Sequence, residues 1–444
     1  MKTFKIVTLG CKVNQFESDG IAQSLEKKGW QQGHPTAHAR LLIVNTCAVT
    51  SKAGMQSRQA IRKLIRENPD AKVVVTGCHA QTDPDEIRKI DRIGAIVSHR
   101  DKTRIAEHIT DIYENGHSPD FQPVDHGQSN AFHGFQETVA GKMTRAYLKI
   151  QDGCNAFCTY CIVPYARGSS VSMPEHEVLM HLKRLNSRGF KEVILTGIHT
   201  GLYGQDLENN ITLTDLLARI NREKPVHRIR LSSIEPKEIT DDLIEMARPG
   251  HILCNHFHIP LQSGDDEILK KMRRPYDAAA FEDIVLKISA RVPDVGIGVD
   301  TLIGFPSETD QQFENTYKLI ERLPVSYLHI FPFSRRKGTP AFDFKPQVDS
   351  AVIKERCRRM RHLDRIKRES FIRKNLGKRV EALVQHQTDA ATGMLKAVTS
   401  NYLTALMDAD PAVKGKILDL LPEQCDSELN IIGSPIHTDL YIGA

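Results

Sequence analysis

The amino-acid sequence predicts an α/β protein built from two parallel βα domains followed by a small β-domain. Strand-like and helix-like segments alternate over residues 1–113, and the same alternation resumes from residue 144 to about residue 345. From residue 377 onward the chain carries only short strand-like runs separated by turn residues. Repeated βα units indicate parallel sheets, because each helical crossover returns the chain to the same end of the sheet. Short strands without helices suit a small β-barrel.

The N-terminal domain, residues 1–113, is predicted as a βαβαβ unit. Three strand-like runs are separated by two helix-like stretches, and in chain order the five segments cover residues 5–9, 14–28, 41–45, 52–67 and 72–76. Residues 114–143 are polar, rich in His, Gly and Gln, and without sustained periodicity. They are therefore predicted as a linker.

The central domain, residues 144–345, contains six strand candidates. They lie at residues 146–150, 192–196, 227–231, 254–259, 295–303 and 326–331. Helix-like stretches separate them, including residues 175–188, 212–223, 278–291 and 310–322. Periodicity alone leaves two arrangements of this parallel sheet open, an open sheet and a sheet curled into a partial barrel.

A basic helix is predicted over residues 346–376, between the central domain and the β-domain of residues 377–444. Residues 354–374 contain ten Lys or Arg against three acidic residues, a local charge of +7 in a chain whose net charge is +5. Such a stripe can neutralise phosphates and suggests a polyanionic partner. A solvated helix between domains is the alternative interpretation.

Composition excludes several classes of protein. With 40% hydrophobic and 26% charged residues, the chain has the composition of a globular protein, and no run approaches the roughly 18 apolar residues of a membrane helix. The first residues lack the apolar stretch of a secretory signal, so we expect a cytoplasmic location and no membrane contact. Nine cysteines in such a chain indicate metal binding or catalysis rather than a disulfide framework.

Three cysteines follow the first strand of the central domain at C-x3-C-x2-C spacing: Cys154, Cys158 and Cys161. A closed zinc site needs four ligands, and no CxxC or His follows at finger-like spacing, so zinc is the less favoured alternative. Iron-sulfur clusters also take thiolates, usually four. Three thiolates leave one iron open to a small molecule, which indicates catalysis rather than electron carriage alone.

Three more cysteines each follow a predicted strand of the N-terminal domain: Cys11, Cys47 and Cys78. Because the carboxyl ends of parallel strands lie at one edge of a sheet, these cysteines can converge on one site. A buried cysteine after a single strand is usually a small core residue. Three in matching positions instead predict a second metal centre.

The C-x3-C-x2-C motif, with Tyr160 before its last cysteine, resembles the radical S-adenosylmethionine superfamily. That resemblance implies a partial (β/α)6 barrel and a [4Fe-4S] cluster whose open iron binds S-adenosylmethionine, the source of a hydrogen-abstracting radical. The residues around Cys11, Cys47 and Cys78, together with the segments 230–236, 258–264, 272–274 and 304–306, resemble the methylthiotransferase family. In that family the N-terminal cysteines hold a second [4Fe-4S] cluster.

The same resemblance implies further site residues. Tyr160, Gly197, Ser233 and Gln262 are predicted to contact S-adenosylmethionine. Arg273 and Arg274 are hypothesised to bind an anionic group of the substrate. Three remaining cysteines match no family ligand and are interpreted as structural or incidental thiols: Cys254, Cys357 and Cys425.

The segment 12–18 after Cys11 resembles the branch of the family that methylthiolates threonylcarbamoyladenosine beside the tRNA anticodon. The isopentenyladenosine branch usually has Gln-Met-Asn there, and the branch that modifies a ribosomal-protein aspartate has Pro-Lys-Asn. With residues 399–402, the β-domain resembles the RNA-binding TRAM barrel of this family. The implied partners are the tRNA anticodon stem-loop, an electron donor and a sulfur source. A non-catalytic iron-sulfur protein that binds RNA or carries electrons is the alternative of a different class.

Overall fold

The N-terminal domain is a five-stranded parallel sheet with the strand order β2-β1-β3-β4-β5. The computed structural model describes residues 2–34, 38–114, 121, 132, 134–135 and 143–436, so most of the predicted linker lies outside the described residues. The elements are β1 (Thr3–Thr8), α1 (Lys12–Lys27), β2 (Gln31–Gln32), β3 (Leu41–Thr46), α2 (Ser51–Glu67), β4 (Lys72–Gly77), α3 (Cys78–Thr82), α4 (Pro84–Arg88), β5 (Ile93–Ile96) and α5 (Ile105–Glu114). The predicted βαβαβ unit is present, and β2 and β5 extend it at both edges.

The central domain is a partial barrel of six parallel strands. Its elements are β6 (Ala146–Lys149), β7 (Gln151–Asp152), α6 (Val163–Arg167), β8 (Val171–Ser172), α7 (Glu175–Ser187), β9 (Glu192–Thr196), α8 (Leu213–Glu223), β10 (Arg228–Leu231), α9 (Asp241–Met246), β11 (His256–Gln262), α10 (Asp266–Lys271), α11 (Ala278–Arg291), β12 (Gly296–Ile303), α12 (Asp310–Arg322) and β13 (Tyr327–Pro332). Strands β6, β9 and β10 pair as one sheet, and β11, β12 and β13 pair as another. A parallel bridge between Ser233 and His258 connects the two sheets, which resolves the choice left open by periodicity.

The C-terminal domain is a closed five-stranded barrel with the order β14-β15-β16-β18-β17. Helix α13 (Ser350–Asn375) leads into β14 (Val380–Thr388), β15 (Leu395–Thr399), β16 (Thr404–Met407), β17 (Ile417–Cys425) and β18 (Ile431–Pro435). Inward-facing Ala382, Val384, Ala397 and Ala405 alternate along their strands and are fully buried. Closure leaves no unpaired sheet edge.

The barrel docks against the central domain through the segment that includes Thr399 and Ser400. Arg230 donates to the carbonyl oxygens of both residues at 2.9 Å. Its guanidinium group also donates to the carboxylate of Glu192. Arg230 lies on β10 and is fully buried. The segment that suggested an RNA-binding barrel therefore lies in a contact between domains.

Carboxylates compensate much of the positive charge on α13. Arg356 pairs with Glu308 and Asp310, and Arg359 pairs with Glu314. Further pairs form within the helix. Four exposed basic residues of α13 have no ion pair with the described residues: Lys354, Arg361, Arg373 and Lys374. Three carboxylates outside the helix therefore compensate part of its charge of +7, and exposed cations remain.

A group of five buried charges joins the N-terminal and central domains, and we name it the buried ion cluster. Its members are Glu17, Lys102, Lys149, Asp152 and Arg167. Nη1 of Arg167 donates to Glu17 and Asp152, both at 2.9 Å, and its other terminal nitrogen donates to Asn14 at 2.7 Å. Burial disfavours charge, but Arg167 and the lysines hold the pKa values of Glu17 and Asp152 well below their usual range.

No helix among the described residues is both long enough and apolar enough to cross a membrane.

Replacing Arg167 is expected to loosen the joint between the two domains. Arg167→Met leaves Glu17 and Asp152 buried with fewer partners, which costs about 3–5 kcal/mol. Arg104→Met is the matched control, because it removes only an exposed pair with Glu107 and costs less than about 1 kcal/mol. Chemical denaturation monitored by fluorescence of Trp30, the one tryptophan of the chain, measures both. Equal midpoints for the two variants would contradict the role given to Arg167.

Candidate metal centres and cavity

The N-terminal cysteines meet at the carboxyl edge of the first sheet, as the sequence predicts. Cys11 precedes α1, Cys47 follows β3, and Cys78 begins α3 directly after β4. A side chain at Gly10 would come within 2.7 Å of the Cys47 sulfur, so the Gly10 backbone packs directly on that thiol. The thiols of Cys11 and Cys78 also lie near enough to affect the pKa of Cys47. Three residues remote in sequence therefore share one site.

Cys154, Cys158 and Cys161 share a second site, on the loop between β7 and α6. The amide of Cys154 donates to the carbonyl of Gly168, and the amide of Cys161 donates to the carbonyl of Cys158. The loop also contacts the end of α10, since the amide of Thr159 donates to the carbonyl of Met272. These backbone bonds hold the loop at the carboxyl ends of the barrel strands.

The described cysteine sets lack the close donor spacing of a single four-coordinate metal ion. Four-coordinate zinc holds its ligands about 2.3 Å from the metal, so its sulfurs lie about 4 Å apart. Within the described residues, the groups of His, Cys, Asp and Glu whose donor atoms all lie within 4.8 Å of one another include neither cysteine set. Among the described residues, neither cysteine set therefore shows the close donor spacing of a four-coordinate zinc site.

Each cysteine set also has cationic donors for thiolate ligands. Arg167 donates to the Cys78 sulfur at 3.3 Å, Arg274 donates to the Cys158 sulfur at 3.4 Å, and Nδ1 of His199 lies 3.4 Å from the Cys154 sulfur. Hydrogen bonds from charged donors stabilise anionic sulfur. These contacts fit cysteines that act as thiolate ligands rather than inert core thiols.

Charge balance supports the same interpretation at Cys78. The buried ion cluster holds three cations and two carboxylates, an excess of one positive charge. The neighbouring His99 adds no charge near neutral pH, because burial lowers its pKa to about 4. A thiolate at Cys78 would neutralise this excess through Arg167. The site is thus arranged for an anionic sulfur.

Burial raises the pKa of Cys47 in the first set and of Cys161 in the second. The pKa of Cys47 rises to about 11 and that of Cys161 to about 12, chiefly because desolvation disfavours the thiolate. Free thiols at these positions are therefore protonated near neutral pH. Metal binding has to displace those protons, which couples cluster assembly to proton release.

A cavity of about 280 Å³ is lined by Cys161 of the second set and by residues that closely follow Cys47 of the first set. Val49 and Thr50, just after Cys47, line one side, and Tyr160 and Cys161 line another. The strand ends of the barrel complete the wall with mostly apolar side chains: Gln262, Leu302, Phe331, Pro332 and Phe333. Residues of the N-terminal and central domains therefore line one cavity.

The structure places the four predicted cofactor contacts at the carboxyl ends of the barrel strands. Gly197 follows β9, Ser233 follows β10, Gln262 ends β11, and Tyr160 lies within the second cysteine loop. Tyr160 and Gln262 line the cavity, whereas Gly197 packs against Gln151 and Ser233 is exposed. Their roles in binding stay predictions.

The two arginines hypothesised to bind substrate differ in environment. Arg273 is exposed in a left-handed backbone conformation with φ of 57°. Arg274 is buried, and all three of its guanidinium nitrogens have partners, namely Tyr276, the Cys158 sulfur and Glu235. This arrangement favours a structural and electrostatic role for Arg274 beside Cys158. Substrate binding by either arginine stays a prediction.

Sequence reasoning missed a group inside the barrel, which we name the inner polar cluster: His258, Asp300, Tyr327 and His329. His258 contacts Asp300 at 2.7 Å and Tyr327 at 3.1 Å, and His329 lies 3.2 Å from the same Asp300 oxygen. Burial opposes ionisation, yet the hydrogen bonds from both histidines hold the pKa of Asp300 well below its usual range. These residues occupy alternating positions on β11, β12 and β13, so their side chains point into the barrel. This pattern can be recognised only when the arrangement of the barrel strands is known.

The remaining cysteines lie away from both sets. Cys254 and Cys357 are buried, and Cys425 is exposed at the end of β17. Their positions agree with the interpretation as structural or incidental thiols.

Comparison with known proteins identifies both cysteine domains. Residues 148–320 match the Radical SAM superfamily, and residues 3–98 match the Uncharacterized protein family UPF0004. The fold also resembles that of a radical S-adenosylmethionine methyltransferase, TsrM, from Kitasatospora setae, with a TM-score of 0.57 and 16% identity, over 77% of this chain and 74% of that one. At that identity the likeness shows the fold alone.

Curated relatives span nearly the whole chain. The threonylcarbamoyladenosine tRNA methylthiotransferase MtaB of Bacillus subtilis is 37% identical over 94% of this chain and 93% of its own length. The MtaB of Aquifex aeolicus is 35% identical over 93% of this chain and 98% of its own length. A tRNA-2-methylthio-N(6)-dimethylallyladenosine synthase of Clostridium botulinum is 33% identical over 80% of each chain. The chain therefore belongs to the tRNA methylthiotransferase family of radical SAM enzymes, in the branch named for threonylcarbamoyladenosine.

Proposed function

We propose that this chain transfers a methylthio group to carbon 2 of N6-threonylcarbamoyladenosine in tRNA, with S-adenosylmethionine as radical source and methyl donor. The observation that carries the proposal is one cavity flanked by two cysteine sets. Two relatives that align over most of the chain are named for this activity, which supports the choice of substrate.

The two cysteine sets would divide the chemistry. Bound there, two [4Fe-4S] clusters would supply the electron that cleaves S-adenosylmethionine and the sulfur that is transferred. Cys154, Cys158 and Cys161 hold the first, and Cys11, Cys47 and Cys78 hold the second. Arg274 and Arg167 stabilise anionic sulfur at each set, and the apolar cavity wall excludes water from the radical.

Binding of tRNA is proposed to use surfaces outside the cavity. Exposed cations of α13 that lack ion pairs with described residues, such as Arg373 and Lys374, provide phosphate contacts. The neighbouring closed barrel offers further surface for RNA, in the manner of a TRAM domain. An external electron donor and a sulfur source complete the reaction, because the chain itself supplies neither.

Dimethylallyladenosine is the second candidate substrate. The observation that favours it is the 33% identity to the Clostridium botulinum synthase over 80% of the chain. Its N6 group is apolar and uncharged, so it requires no cation. The charge of the N6 substituent therefore separates the two candidates.

Iron content tests the two metal centres. Anaerobically reconstituted protein is expected to hold about eight irons per chain, and Cys47→Ala and Cys158→Ala about four each, because each variant disrupts one [4Fe-4S] centre. Cys158→Ala is also expected to lose reductive cleavage of S-adenosylmethionine. Cys425→Ala, which removes an exposed thiol remote from both sets, serves as control and keeps all eight. Full iron content with retained cleavage in Cys158→Ala would refute the assignment.

The nucleosides of cellular tRNA test the substrate. Deletion of the gene is expected to remove methylthio-threonylcarbamoyladenosine and to leave its unthiolated precursor, as measured by mass spectrometry. Complementation with the wild-type chain restores the product, whereas complementation with Cys158→Ala does not. Loss of the methylthio form of dimethylallyladenosine instead would favour the second candidate. An unchanged nucleoside profile would contradict tRNA as the substrate.

A further inference from the structure

The threonylcarbamoyl group carries a carboxylate, and a site that accepts it needs a cation without a partner. This inference rests on the proposed function. Carbons 2 and 6 of adenine both bond to N1, so the substituent on N6 lies on the same side of the ring as the reacting carbon. The required cation must therefore lie near the cysteine sets and the cavity.

Most cations in that region already have partners. Arg167 and Lys149 pair with Glu17 and Asp152 in the buried ion cluster. Arg274 pairs with Glu235. Each of these groups already donates to at least one carboxylate at hydrogen-bond distance, which leaves it fewer donors for the carboxylate of a ligand.

Lys12 differs from these residues. It forms no hydrogen bond or ion pair with the residues that the structure describes. Its Cα is about 3.8 Å from that of Cys11, because the two residues are consecutive. The side chain of Lys12 is half-buried, and the charged and polar groups near enough to influence it are Tyr402, Arg145, Arg230 and Asp300, the last two on strands β10 and β12 of the central domain.

Asp300 of the inner polar cluster relates Lys12 to the cavity wall. Asp300 lies two residues before Leu302 on β12, so both side chains face the same side of the strand, about 6–7 Å apart. Leu302 lines the cavity, and Asp300 influences Lys12. His258 and His329 both contact Asp300, which leaves the ammonium of Lys12 without a dedicated counter-ion.

We propose that Lys12 binds the carboxylate of the threonylcarbamoyl group and thereby selects the anionic substrate. The substituent extends from the cavity into the barrel, toward the inner polar cluster, while carbon 2 stays between the two cysteine sets. Arg145 and Arg230 add positive potential at the same place. Lys12 is thus a specificity-determining residue rather than a participant in the radical step.

The test compares two RNAs on the same protein preparation. One anticodon stem-loop carries threonylcarbamoyladenosine, and the other carries its carboxamide, which is neutral but has nearly the same shape. Fluorescence anisotropy measures the affinity of reconstituted holoenzyme for each, and methylthiolation of the first RNA is measured in parallel. Because the affinity ratio is taken within one preparation, partial loss of folding or iron does not alter it.

Wild-type protein is expected to prefer the carboxylate RNA roughly 10- to 100-fold, the range for a hydrogen bond to a charged group. Lys12→Gln is expected to lose the preference, and Lys12→Arg to keep most of it. Lys191→Gln, an exposed lysine before β9, is the matched control and keeps the wild-type ratio.

Two results would overturn the inference in different ways. If Lys12→Gln retains the preference, or weakens binding of both RNAs equally, Lys12 does not bind the carboxylate, although the proposed function stands. If wild-type protein does not methylthiolate the carboxylate RNA, the proposed function fails and the inference falls with it.

Discussion

The buried guanidinium of Arg167 is the interaction on which the arrangement of this protein depends. It extends from the loop region of the second cysteine set, in the central domain, into the N-terminal domain, where it contacts Glu17, Asn14 and the Cys78 sulfur. A buried ion pair is costly unless its geometry is nearly ideal, so this contact permits few relative positions of the two domains. The same residue that joins the domains therefore fixes the position of one cysteine set relative to the other.

This constraint explains how one cavity can serve two cysteine sets. The first set occupies the carboxyl edge of an open parallel sheet, and the second occupies the carboxyl ends of a partial barrel. Open parallel sheets and (β/α) barrels both place their functional residues at the carboxyl ends of their strands. Only the domain joint turns the two edges toward each other, with Val49 on one wall and Gln262 on another. The C-terminal barrel docks on Arg230 through the carbonyl oxygens of Thr399 and Ser400.

Local patterns predicted the elements well, and long-range contacts explain what they missed. All six barrel strands and both cysteine sets follow from hydrophobic runs and spacing, because strand ends and ligand spacing are local properties. Arg167 and the inner polar cluster were missed because their partners lie many residues away. The partners of Arg356 and Arg359 on α13 were missed for the same reason, since Glu308 and Glu314 lie outside the helix.

Anomalous diffraction at the iron edge from crystals of the reconstituted protein tests the central claim most directly. The account predicts two separate iron clusters, one against Cys11, Cys47 and Cys78 and one against Cys154, Cys158 and Cys161, on opposite sides of the same cavity. A single iron site, or two sites that do not both face the cavity, would contradict it.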